Sequence, residues 1–285
     1  MCSLTSVTSC SKKKHTLTLY TICETLDIIA GTIEMKIFTF IGAPSAGAKA
    51  ILLKRYFNSF SHALSFFLAG KGSFGKLIAE GTAGWAHLSL GEYMRTEITR
   101  KTDLGLAVSS SMEGGHLVPD NLANDLAMKS LNEFQAKNTT AVILDGYPRT
   151  INQAVYFKGK FPHVDFTAVH IMLEKWVAIE KTLGRQSCKT CGGSFNSADI
   201  MTDGFCMPAI IPDKKTCSFG INCNPILEKR ADDTRETSEI RYNEFLTKTA
   251  PLLGWYEERG ILKNFEVKRG IADVDKLIAL MNKSV

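Results

Sequence analysis

The chain carries a glycine-rich loop in two pieces, and few features constrain a fold as tightly. Residues 42–47 read GAPSAG and follow the apolar run Ile37-Phe38-Thr39-Phe40-Ile41; residues 71–76 read KGSFGK and open a stretch with helical spacing at Phe74, Leu77 and Ile78. Joined, the pieces read strand, G-x-x-x-x-G, Lys, Gly, Ser, which is the pattern of a phosphate-binding loop with a Gly before the hydroxyl. Such a loop needs a buried strand ahead of it and a helix behind it. Its glycines let successive backbone N–H groups turn inward, and the helix N-terminus adds partial positive charge. On this reading Gly42, Ala43, Pro44, Ser45, Ala46, Gly47 and Gly72 surround a polyphosphate. Lys71 reaches the β- and γ-phosphates, and the Ser73 hydroxyl lies near Mg²⁺.

Residues 48–70, AKAILLKRYFNSFSHALSFFLAG, separate the pieces; they hold Phe57, Phe60, Phe66 and Phe67 and no Asp or Glu. One reading is translated sequence foreign to the fold, such as a retained intron or a mis-joined gene model; the other is a helix for a membrane or partner surface. The flanks favour the first. Ala46-Gly47 recurs as Ala69-Gly70, so excising 48–70, 47–69 or 46–68 restores the same GAPSAGKGS. Closing a loop of this length costs about 3 kcal/mol, which a core of this size tolerates. The anion nest is less forgiving, because the N–H groups of Gly47 and Lys71 must lie side by side, and an error near 1 Å costs on the order of 100-fold in rate.

The remaining pattern is α/β. Apolar runs at Ile37–Ile41, 87–90, 141–144, Phe166–Leu173 and 262–267 read as strands, alternating with helical spacing over 72–80, 91–99, 120–137, 175–183, 232–248 and the final stretch around Val274–Met281. Asp120 and Thr249 stand as N-cap candidates. Strands alternating with helices predict a five-stranded parallel sheet covered on both faces, a three-layer core. A length of 285 residues, 45% hydrophobic and 22% charged, suits one or two domains, and a net charge of +5 fits an anionic ligand only weakly. No basic block argues for nucleic acid, and no uncharged apolar stretch reaches membrane-spanning length. Residues 1–34 are Ser/Thr-rich, carry Lys12-Lys13-Lys14 and have no Arg. They read as an extension outside the fold, with Met35 as the natural start and a cytoplasmic location; a mitochondrial or other organellar targeting segment is the competing reading.

A second motif ends the third apolar run: Asp145-Gly146-Tyr147-Pro148-Arg149-Thr150, with Gln153 one turn on. An Asp at the end of a parallel strand beside a phosphate loop holds Mg²⁺ through water, and Arg149 offers a planar fork to phosphate. These motifs, with LSLGEYMR at 88–95 and LEKRADD at 227–233, make the chain resemble the adenylate kinases from Met35 to about Asn282, residues 48–70 apart. The resemblance implies a core over 35–90, 121–184 and 231–285, a small nucleoside-monophosphate arm over 91–120 and a lid over 185–230. It implies transfer of the γ-phosphate of MgATP to AMP, giving two ADP, by a monomer acting on ATP, AMP and ADP. Lys71, Arg149, Arg185, Arg230 and Arg241 become the catalytic charges, and Lys181 and Arg185 lie with ATP. Leu90, Gly91, Arg95, His116, Val118, Gly146, Arg149 and Gln153 lie with AMP, Gln153 reading its adenine. Asp232 and Asp233 become hinge and lid contacts.

Three positions depart from the family pattern. Leu90 stands where a Thr hydroxyl is usual, which leaves a UMP/CMP kinase as runner-up. Lys181 stands where an Arg often stacks on the ATP adenine, which predicts looser selectivity for the triphosphate. Glu92 replaces Asp. Eight cysteines, five of them between 188 and 223, favour metal over a disulfide framework. Cys188-x-x-Cys191 is one half of a structural zinc site. On the family pattern Cys223 is the fourth ligand, Cys217 the natural third and Cys206 its competitor. The alternative is a metal-free lid. A non-enzymatic isoform, silenced by the split loop, also stays open.

Overall fold

The computed structural model describes residues 35–44, 71–190, 193–212, 217 and 223–283. Ser45, Ala46, Gly47, Cys191, the 1–34 extension and the 48–70 insertion lie outside the described residues.

The elements are β1 (Lys36–Ile41), α1 (Lys71–Gly81), β2 (Trp85–Ser89), α2 (Leu90–Thr99), α3 (Asp103–Glu113), α4 (Asp120–Ala136), β3 (Ala141–Asp145), α5 (Ile151–Lys160), β4 (Phe166–Met172), α6 (Lys175–Leu183), β5 (Arg185–Cys188), β6 (Ser194–Asn196), β7 (Leu227–Glu228), α7 (Arg235–Glu244), α8 (Ala250–Glu257), β8 (Leu262–Glu266) and α9 (Val274–Asn282). Five strands form one parallel sheet in the order β2-β3-β1-β4-β8. The chain runs from β1 past β3 to β2, and later returns to the other side of β1 at β4. The strand order therefore reverses at β1, and the crevice beyond its C-terminal end is where an α/β sheet receives a ligand.

Alternation along β1 explains the two-faced core. Phe38 and Phe40 join Phe74, Ile78, Val169 and Ile171 on the face covered by α1 and α9. Ile37 joins Leu88, Val142, Leu144 and Leu131 on the face covered by α4. Full burial of each such side chain stabilises the fold by about 1.5–3 kcal/mol.

Several sequence expectations meet a different local structure. Helices α3 and α5 have no strong apolar period and were not expected; each starts at a threonine cap, Thr102 Oγ1 accepting from Gly105 N–H and Thr150 Oγ1 from Gln153 N–H. Thr249 caps nothing: its backbone is helical, and a π-turn over Phe245–Thr249 carries α7 straight into α8. Asp120 is the first residue of α4, with Pro119 in the cap position and no side-chain cap. Within the 185–230 segment, β6, β5 and β7 form a sheet of their own, while Ile200, Phe205 and Met207 are buried in one cluster with Val177, Val267 and Ile271. No helix among the described residues is long and apolar enough to cross a membrane.

Candidate active site

The crevice beyond β1 is a cleft of about 300 Å³. Gly42 enters it where the backbone crowds β4, so that any Cβ would collide with the carbonyl oxygen of Ile171. The first turn of α1 comes equally close to β3, since a Cβ on Gly72 would lie 2.9 Å from Asp145 Oδ2. Gly42 and Ala43, from the first piece of the glycine loop, meet Lys71, from the second, here. Lys71 Nζ donates to the carbonyl oxygens of Gly42 at 2.8 Å and Ala43 at 2.9 Å. Burial lowers the Lys71 ammonium to about 8; Asp145 opposes this, while Arg149 and Arg185 reinforce it.

Five arginines reach the cleft from different parts of the chain. Arg149 follows β3 and is steadied by Nε donating to Gly146 O at 3.1 Å. Arg185 opens β5, its Nε 3.6 Å from Asp233 Oδ2. Arg241 on α7 pairs with Asp232 and, at 3.5 Å, with Asp233 Oδ1. Arg95 lies on α2, and Arg230 lines the same cleft. Burial and the neighbouring cations Arg230 and Arg185 hold Arg95 down to about 10, with Asp232 partly compensating. Burial likewise brings Arg185 down to about 10, against the pull of Asp233. Burial pushes Asp232 up, but its hydrogen bond and charge pairing with Arg241, aided by Arg95, keep it below the usual carboxylate range. Asp232 and Asp233 thus orient arginines. Cations depressed by one another lose that penalty when a polyanion enters, so the arrangement favours phosphate groups.

Leu90, Gly91, Met94, Val118, Ala123, Gln153 and His116 line the same cleft. His116 Nδ1 lies 3.3 Å from Glu244 Oε1, and Leu117 N–H donates to Glu244 Oε2 at 3.4 Å, which fixes the 115–118 strip against α7. Gly115 (φ +77°) makes that strip possible, because a Cβ would also press on Thr237 and Arg241. Beneath, Tyr147 donates to Asn124 Oδ1 at 2.8 Å, and Thr39 Oγ1 donates to Tyr147 O at 2.8 Å.

The cleft therefore gathers Gly42, Pro44, Lys71, Gly72, Ser73, Leu90, Gly91, Arg95, His116, Val118, Asp145, Gly146, Arg149, Gln153, Arg185, Arg230 and Arg241. Ala43 is buried behind it. Lys181 is a correction. It is fully buried, and its Nζ donates to Ala198 O and Met207 O, both at 2.8 Å. That ammonium pins the 198–207 segment to the core and is not placed to stack on a base. Asp120 was missed as a site residue. Its carboxylate accepts from Gln153 Nε2, a partner 33 positions away that no local pattern signals.

In the 185–230 segment, Cys188, Cys217 and Cys223 are buried, with their sulfur atoms all within 4.8 Å of one another. Cys188 and Cys223 Sγ are 3.7 Å apart. Sulfurs bound tetrahedrally at ~2.3 Å stand about 3.8 Å apart, so the cluster fits zinc. Cys206 is exposed and outside this cluster, and its backbone N–H donates to Lys268 O.

The adenylate kinase family model matches residues 68–261. The adenylate kinase of Thermotoga maritima is 32% identical over 221 residues, covering 76% of this chain and 92% of that protein. The adenylate kinase of Borrelia duttonii (strain Ly) is 29% identical over 216 residues, 75% of this chain and 93% of that protein. The GTP:AMP phosphotransferase of Plasmodium falciparum (isolate 3D7) is 30% identical over 213 residues, 74% of this chain and 91% of that protein. With the match extending over most of the chain, and with the loop, the aspartate and the arginines in one cleft, the chain belongs to the adenylate kinase family.

Proposed function

We propose that this chain transfers the γ-phosphate of MgATP to AMP and forms two ADP. The observation that carries the reading is that one cleft gathers Lys71, Arg149, Arg185, Arg230 and Arg241 together with Leu90, Met94, Val118 and the hydrogen-bonded amide of Gln153. A phosphate oxygen of AMP attacks the γ-phosphorus in line as the bond to the β-phosphate oxygen breaks, and the electron pair stays on ADP. Such a transfer asks the protein for position and charge neutralisation rather than covalent chemistry. Lys71 and Arg185 hold the donor phosphates, Arg149 and Arg241 the phosphoryl group in flight, and Arg95 the AMP phosphate. The β5–β7 sheet, which brings Arg185 and Ser194 to the cleft, excludes water. Ser73 and Asp145 line the cleft and would hold Mg²⁺ through water, and the ion would supply charge neutralisation on the polyphosphate. The direct test is ADP formation with AMP, UMP and CMP as acceptors side by side; AMP is expected to be the best of the three, and preference for a pyrimidine would sink the reading.

The titration of Lys71 gives a pH signature. Its ammonium is charged below about 8 and lost above it, so kcat/KM for MgATP is expected to fall as pH rises through that value. A flat profile up to pH 9.5 would remove Lys71 from the donor site.

We further propose that Cys188, Cys217 and Cys223 hold a structural zinc ion, with Cys191 as the fourth ligand. The support is the buried, mutually close trio. The metal shapes the lid and takes no part in the chemistry. One zinc per chain is expected in the protein and in Cys206→Ser, and little in Cys188→Ser or Cys217→Ser, by metal analysis after dialysis. Loss of zinc from Cys206→Ser alone would reassign the third ligand.

A further inference from the structure

Asp120 opens α4 without capping it, and its carboxylate turns toward α5 instead. Oδ1 accepts from Gln153 Nε2 at 2.7 Å, and Oδ2 accepts from Thr150 Oγ1 at 3.1 Å. Thr150 Oγ1 in turn accepts from the Gln153 backbone N–H at 3.2 Å. On its other side, Gln153 Oε1 accepts from Arg149 N–H at 2.7 Å.

The two ends of an amide have nearly the same shape, so only its partners decide which end is which. Both partners here are unambiguous. A carboxylate only accepts, and a backbone N–H only donates. The amide of Gln153 thus stands in one orientation, on a side chain only 2% exposed that borders the cleft. What remains to it is one N–H and one lone pair, in fixed order.

We infer that Asp120 is a specificity-determining positioning residue for the acceptor base: together with the Arg149 backbone N–H it locks the Gln153 amide, so that the cleft accepts a 6-aminopurine and rejects a 6-oxopurine. The inference rests on the proposed role of this cleft end as the acceptor site. Adenine offers a ring-nitrogen acceptor at N1 beside a 6-amino donor. Hypoxanthine and guanine reverse both, with a donor at N1 and an acceptor at O6. Against a locked amide the reversed pair sets N–H against N–H and oxygen against oxygen. A free amide would turn over and accept either. Rejection therefore comes from a buried polar group that cannot re-pair, which discriminates more strongly than apolar shape does.

The test is calorimetric binding of AMP, inosine 5′-monophosphate and purine riboside 5′-monophosphate to the full chain without a donor nucleotide. The last compound keeps the N1 acceptor and lacks the 6-amino group. The expected order is AMP, then the unsubstituted purine, then the inosine nucleotide, with AMP ahead of the last by about 30-fold or more. Asp120→Ala is expected to shrink the AMP-to-inosine ratio at least tenfold. Asp120→Asn, whose amide oxygen still accepts from Gln153 Nε2, is expected to restore it. Thermal midpoints of each variant separate this from loss of fold, since a purely structural role would weaken all three ligands together and leave the ratio alone. Equal binding of AMP and the inosine nucleotide by the native chain would overturn the inference while leaving the acceptor site in place. A ratio unchanged in a folded Asp120→Ala variant would do the same. No AMP binding at all would overturn the reading of the cleft itself and the inference with it.

Discussion

Deleting residues 48–70 is expected to raise kcat/KM for MgATP by about two orders of magnitude. The fold and the nest respond differently to an insertion. Closing the longer loop costs about 3 kcal/mol, spread over a molecule whose β1 and α1 are held by their own packing. Phe38 and Phe40 on the strand and Phe74 and Ile78 on the helix are buried in one cluster, whatever chain joins them. The nest depends on backbone continuity. In a phosphate loop the N–H groups after the last glycine point at the same oxygens in sequence, and a displacement near 1 Å is worth on the order of 100-fold. The Lys71 ammonium already meets the carbonyls of Gly42 and Ala43, so the cation stands at the loop while the ligating N–H row is cut in the sequence. The shortened and full chains, assayed in parallel, should differ chiefly in kcat/KM for the donor. AMP affinity should change little, because the acceptor end contains no residue from this loop. Equal donor kinetics in the two chains would mean that the nest assembles despite the insertion.

Arg149→Ala is expected to lower kcat by about 10³-fold. The guanidinium sits between Gly146, to which it donates, and the cluster formed by Lys71 and Asp145. It is the fork nearest the strand end from which Asp145 faces the loop. Preorganised donors aimed at a transferring phosphoryl group are worth about 10²–10³ each, and an arginine dedicated to that charge more. Arg149→Lys keeps the charge but loses the planar fork, so recovery of more than a small part of the rate is not expected. Removing Arg149 also removes one of the charges that depress Lys71. The high-pH limb of kcat/KM should therefore move upward in the variant. A decrease in kcat below tenfold, with an unmoved limb, would place Arg149 outside the reacting phosphates.

The sheet was legible chiefly because β1, β3 and β4 are short, largely apolar runs, with β1 running into Gly42 and β3 ending at Asp145. Each of the five was found in place, with ends moved by one or two residues. The cleft was legible because glycines, the DGYPR strand end and arginines mark it in the sequence. What escaped was tertiary. Helices α3 and α5 carry weak apolar periods and are fixed by threonine caps. Lys181 reads on the family pattern as a contact to the ATP adenine, and only the fold-back of residues 198–207 turns its ammonium to Ala198 O and Met207 O instead. Asp120 reads as a cap, and only the packing of α4 on α5 gives its carboxylate another partner. Likewise the spacing of the lid cysteines left Cys206 and Cys217 as rivals. The strand pairing of β5 with β7 brings Cys188 and Leu227 into register, and Cys223 and Cys217 gather on the same buried side.

The central claim, that this cleft passes a phosphoryl group from ATP to AMP and keeps water out, is tested most directly by following all phosphate species at once. The chain lacking residues 48–70 should convert equimolar ATP and AMP to ADP alone, two ADP per ATP consumed, with no inorganic phosphate. It should do so far faster than the full chain. Release of inorganic phosphate independent of AMP, or no ADP from either chain, would contradict the account.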